Sequence, residues 1–130
     1  ELQHMPTARS LGYAAPQPTS GIIQAWLQCC LDTKDRAEAE RAWSFMHEQD
    51  IIPTATCFER MARMHLMQEQ YEEAFTLLEQ TKQCALVPTR RMYAAMIWTC
   101  WQHNDERWRD LMQEMQEARY EPGERLRALS

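Results

Sequence analysis

Residues 55–89 read ATCFERMARMHLMQEQYEEAFTLLEQTKQCALVPT, and the Pro88-Thr89 pair that closes them recurs along the chain. Pro18-Thr19, Pro53-Thr54 and Pro88-Thr89 stand 35 residues apart, and Pro122-Gly123 follows 34 later. A fixed period between about 20 and 50 residues marks an array of small units, each burying its apolar side on its neighbours. Cutting after each pair gives units 20–54, 55–89 and 90–123. Equivalent positions then carry related side chains: Ile23, Phe58 and Tyr93; Trp26, Met61 and Met96; Met46, Thr81 and Met115. Ala39, Ala74 and, after one deletion in the inter-helix turn, Trp108 share a fourth.

Each unit reads as two helices. Phe58, Met61, Ala62 and His65 recur at helical spacing along one face, as do Tyr71, Ala74, Phe75 and Leu78. The expected spans are 22–31 and 34–49, 57–68 and 71–84, 92–103 and 105–118. Pro88 cannot continue a helix, and Thr89 can cap the next one. Asn104-Asp105-Glu106 puts a capping side chain and two acids where a helix dipole favours them. With only three glycines and a predominance of good helix formers, the composition predicts an all-α fold.

That layout resembles the pentatricopeptide repeat over residues 20–123. An aromatic or aliphatic residue opens the first helix, with an aliphatic three later. A small residue sits in the second helix, a Met seven later and a terminal Pro seven further on. Tyr71-Glu72-Glu73-Ala74-Phe75 and Leu86-Val87-Pro88-Thr89 carry the likeness best. The tetratricopeptide repeat is the competing reading, but its register sets Gln28 and Arg41 where small or apolar residues are expected. The resemblance implies an α-solenoid of helix–turn–helix repeats. It also implies a place in organellar RNA metabolism, in mitochondria or another organelle, as a non-enzymatic component of a ribonucleoprotein such as a mitochondrial ribosome or RNA-processing complex. Its partners would be single-stranded or ribosomal RNA and other proteins, with no cofactor. A protein–protein adaptor without RNA contact is the alternative.

In that family a residue early in the first helix and the last residue of the unit read one base per repeat. The corresponding pairs here are Gln24 with Thr54, Glu59 with Thr89, and Ala94 with Gly123. None matches the usual Thr, Ser or Asn followed by Asn, Asp or Ser. The stacking position, usually Val or Ile, holds Gly21, Thr56 and Arg91. Thr56-x-x-Glu59 also reads as a capping box. Arg60, Arg63, Arg90 and Arg91 form the one positive cluster near the starts of first helices and suit phosphate contact. Sequence-tolerant RNA contact or scaffolding is therefore expected rather than base reading. Family turns commonly use Gly where Lys34, Asp50, Glu69, Ala85 and Arg119 stand, so less regular turns are expected.

The net charge of −5 is spread over the three units, and only the tail after 123 is positive, which argues against a strong duplex binder. Cys29, Cys30, Cys57, Cys84 and Cys100 show no zinc-ligand spacing and read as small buried hydrophobes. The four histidines are scattered and no nucleophile or phosphate-loop motif is present, so no enzyme is expected. The longest apolar run, Met92 to Trp98, falls far short of the roughly 20 residues that span a membrane. The five tryptophans read as core more readily than as stacking platforms. Residues 1–19 are expected to be irregular or a degenerate preceding repeat, and 124–130 to begin a further helix or form a tail, as if the chain starts and stops inside an array. Trp108, Leu111, Met112 and Met115 would then lie poorly covered, leaving the isolated chain prone to association.

Overall fold

Threonine and aspartate side chains set where the helices begin. In the computed structural model, which describes residues 19–129, Thr54 Oγ1 accepts from the Cys57 amide at 3.3 Å and Thr89 Oγ1 from the Met92 amide at 3.0 Å. Asp35 caps the following helix through the Glu38 amide at 3.0 Å. The described residues form seven helices and no strand: α1 (Ser20–Thr33), α2 (Arg36–Glu48), α3 (Ala55–Met67), α4 (Tyr71–Gln83), α5 (Arg90–Gln102), α6 (Arg107–Glu117) and the short α7 (Glu124–Arg127). The all-α expectation holds. The expected irregular stretch or degenerate repeat in 1–19 falls, but for Thr19, outside the described residues.

Three helices start two residues earlier than expected, because the threonine after each proline is itself the N-cap. Thr54 rather than Thr56 caps α3, so the capping box with Glu59 does not form. At α6 the capping oxygen comes from Asp105, which accepts from the Arg107 amide at 3.0 Å, while Asn104 serves the preceding turn.

The chain reversals are uniform, contrary to the expectation from missing glycines. Lys34, Asp50, Glu69, Ala85, Asn104 and Arg119 all adopt the left-handed conformation, with φ from 54° to 68°. Each closes the same pair of bonds. Ala85 donates to the Lys82 carbonyl and Leu86 to the Thr81 carbonyl, at 2.9 and 3.1 Å. Asp50 and Ile51 repeat this on His47 and Met46, and Arg119 and Tyr120 on Gln116 and Met115. These are Schellman closures, which satisfy carbonyls that a helix end leaves open. A non-glycine residue pays about 1–2 kcal/mol for the left-handed region, and the two bonds offset that strain.

Successive helices pair as α1 with α2, α3 with α4 and α5 with α6, while α1 packs on α3, α3 on α5 and α5 on α7. Between them runs one core. Ile23, Phe58 and Tyr93 are all buried in it, as are Met46, Thr81 and Met115. Thr81 satisfies its hydroxyl on the Leu77 carbonyl at 2.7 Å. Seven methionines, Met46, Met61, Met64, Met92, Met96, Met112 and Met115, fill much of the interior. Trp26 is only half-buried, tilted against Phe45 and donating to Glu38 at 2.9 Å. Leu111, Met112 and Met115 are already buried and Trp108 half-buried, so the last long helix is better covered than expected. Among the described residues, no helix is long and apolar enough to cross a membrane.

Two substitutions test this architecture. Ala39 and Ala74 are fully buried in equivalent helices, so Ala74→Leu overfills a closed site. It should cost about 1–3 kcal/mol in chemical denaturation. Ala85 sits at φ 59° with its side chain exposed, so Ala85→Gly removes left-handed strain without touching the core. It should raise stability by up to about 1 kcal/mol. An unchanged melting temperature for the first, or a lowered one for the second, contradicts the packing and the turn geometry respectively.

Candidate nucleic-acid interface

Residues at the positions that read bases in the resembled family do face one another. Gln24 on α1 donates from Nε2 to Thr54 Oγ1 at 2.8 Å, across 30 residues of chain. One repeat later, Thr89 donates from Oγ1 to Glu59 Oε1 at 3.0 Å, again across 30 residues. Ala94 and Gly123 line one groove together. The period in sequence therefore becomes a period in space. In both pairs, however, side-chain hydrogen-bonding groups are engaged with each other. Glu59 is only 6% exposed, and its second oxygen meets Arg63 at 3.1 Å. A base edge approaching it would have to displace both partners.

The four arginines expected as phosphate contacts divide. Arg63, Arg90 and Arg91 line the groove with Ala94 and Gly123. Arg60 does not. It turns to the preceding hairpin, donating to the Gln24 carbonyl at 2.7 Å, and its Nε–H is buried with no hydrogen-bond partner among the described residues. Arg90 is steadied by the Glu121 carbonyl at 2.8 Å. The fourth arginine of the groove is Arg125, brought in by α7 and lying 3.8 Å over the ring of Trp98. The groove encloses about 330 Å³, and no acidic residue lines it. In a chain of net charge −5 that is a local reversal of sign. The sequence does not single out Arg125, and Trp98, weighed there as a stacking platform, reads more readily as core. The one available signal was the positive tail, since Trp98 lies in an apolar run that reads as core.

A second cavity, between α4, α5 and α6, is smaller and better enclosed, at about 80 Å³. Phe75, Met96 and Cys100 line it, and burial pushes the Cys100 thiol up to about 11, which keeps it protonated at neutral pH. Arg107 closes its rim. The guanidinium lies 3.8 Å over Phe75, meets Asp105 at 2.6 Å and reaches Glu72 on α4 at 2.8 Å. Lys82 and Glu114, 2.7 Å apart, tie the same two helices further along. Among the described residues, no group of three His, Cys, Asp or Glu is placed to hold a metal ion.

No protein-family model matches this chain, and comparison with curated proteins gives no match.

The Arg107 clamp makes a pH-dependent contribution. Its hydrogen bonds hold the Glu72 and Asp105 carboxyls below their ordinary values of 4.5 and 3.8. A depressed carboxylate adds stability above its unfolded pKa and loses it as pH falls through the folded one. Denaturation midpoints should therefore fall as the solution is acidified below about pH 4.5. Arg107→Gln should be less stable at neutral pH and lose less in that acid window, the two curves converging at the acid end. Parallel curves would show that the clamp contributes nothing.

Proposed function

We propose that this protein is a non-enzymatic α-solenoid of pentatricopeptide-like units, 20–54, 55–89 and 90–123, that holds single-stranded RNA by its phosphates. The observation that carries the reading is the groove in which Arg63, Arg90, Arg91 and Arg125 converge with no acid among its lining residues. Arginine forks match phosphate oxygens and bind them without regard to base. The Glu59–Thr89 pair supports sequence-indifferent contact, because Thr89 and Arg63 occupy both carboxylate oxygens that a base edge would need. Assignment to a mitochondrial ribonucleoprotein, as a component beside other proteins, rests on the family resemblance of the repeat. The acidic outer surface of the first unit, with Glu40 and Glu48 exposed, suits a basic protein neighbour in such an assembly.

Titration of short single-stranded RNAs of differing sequence at several salt concentrations tests this. Four phosphate contacts at roughly 0.7 each put the slope of log affinity against log salt below about 3. Arg90→Gln with Arg91→Gln should weaken every RNA alike and flatten that slope. Gln24→Ala should leave relative affinities unchanged. A preference above about tenfold for one sequence, lost on changing Gln24 or Glu59, would restore base reading. Undetectable binding at low salt would favour a protein adaptor.

A further inference from the structure

The groove has an aromatic side as well as a charged one. Trp98 and Trp101 are one helical turn apart on α5 and stack with centroids 5.5 Å apart and planes inclined by 24°. The guanidinium carbon of Arg125 lies 3.8 Å from the centroid of Trp98, so the indole that stacks with Trp101 also carries a guanidinium. Arg125 is nevertheless exposed. It reaches this position because Leu126 beside it is buried in the core, which anchors α7 against α5. Tyr120, just upstream, fixes the approach by donating to the Pro88 carbonyl at 2.9 Å. The guanidinium is thus seated over an aromatic ring on an exposed residue that lines the groove.

A planar cation held in this way is a stacking surface. An unpaired nucleobase stacks on aromatic rings and on arginine guanidinium planes alike. The indole beneath restrains the side chain in advance and removes much of the ordering cost of binding. Arg63, Arg90 and Arg91 stand in the same groove for the phosphates that flank such a base. We infer that Arg125, seated on Trp98, is a stacking ledge for one unpaired nucleobase of a single-stranded nucleic acid. The inference rests on the phosphate-groove reading above and adds recognition of a base face to it. Because every base has such a face, the ledge separates nucleic acid from other polyanions without selecting a sequence.

The experiment compares an adenylate RNA hexamer with an abasic hexamer of equal phosphate count, by competition titration against the whole chain. Stacking of one base should make the RNA bind about tenfold more tightly than the abasic strand. Arg125→Lys keeps the charge and removes the plane. It should reduce that ratio to about twofold or less, because the strand that has a base to stack loses more than the abasic strand. Trp98→Leu should lower the ratio in the same direction, with helicity checked by circular dichroism. Arg91→Gln should weaken both strands equally. Equal affinities in the unsubstituted protein would overturn the ledge and leave the phosphate groove standing. A ratio unchanged by Arg125→Lys would also overturn it. Binding of neither strand would overturn the ledge and the groove together.

Discussion

Each chain reversal after a long helix depends on one residue held in the left-handed conformation. The helix ends before it, and the two amides at and after it turn back to close the last carbonyls. None of these residues is glycine, so the conformation is maintained by what surrounds it rather than by an intrinsic preference. At three of the turns the residue that follows, Ile51, Leu86 or Tyr120, packs against the core and fixes the exit direction. Six turns of one kind follow the six long helices, and α1 packs on α3 and α3 on α5. The proposed solenoid would follow from repetition of this reversal more than from any single interface.

The helices were legible because two different signals agreed on them. The proline–threonine pairs marked where each unit stops, and the apolar spacing marked which faces are buried. The turns were misjudged for a physical reason. Absence of glycine suggests an irregular turn, whereas two backbone bonds hold Ala85 and Arg119 in the left-handed region. The capping box at Thr56 was misjudged for a related one. The motif is satisfied in sequence, but Thr54 reaches the helix end first.

At the candidate interface, sequence spacing found residues that meet but not the direction in which each side chain turns. Gln24 and Thr54 meet, as do Glu59 and Thr89, because the same repeat that spaced them along the chain brings them together. Arg60 and Arg63 are one helical turn apart, yet one reaches back to the Gln24 carbonyl and the other pairs with Glu59. That division depends on the neighbouring hairpins, and local spacing carries no trace of it. Arg125 arrives from beyond the last unit and is placed by the burial of Leu126 next to it.

The methionine-filled interior has a chemical consequence. Seven thioethers are sealed from solvent, whereas Met67 is 42% exposed. A peroxide can therefore oxidise Met67 in the closed molecule, but reaches Met64 or Met92 only while a hairpin stands open. The product is a sulfoxide, bulkier and polar, which does not fit the space the thioether left. Each such event would record an opening and also hinder the return. Under oxidative stress the lifetime of this protein would then be set by how often its helices part, with a sulfoxide reductase able to reset the count only while they remain apart.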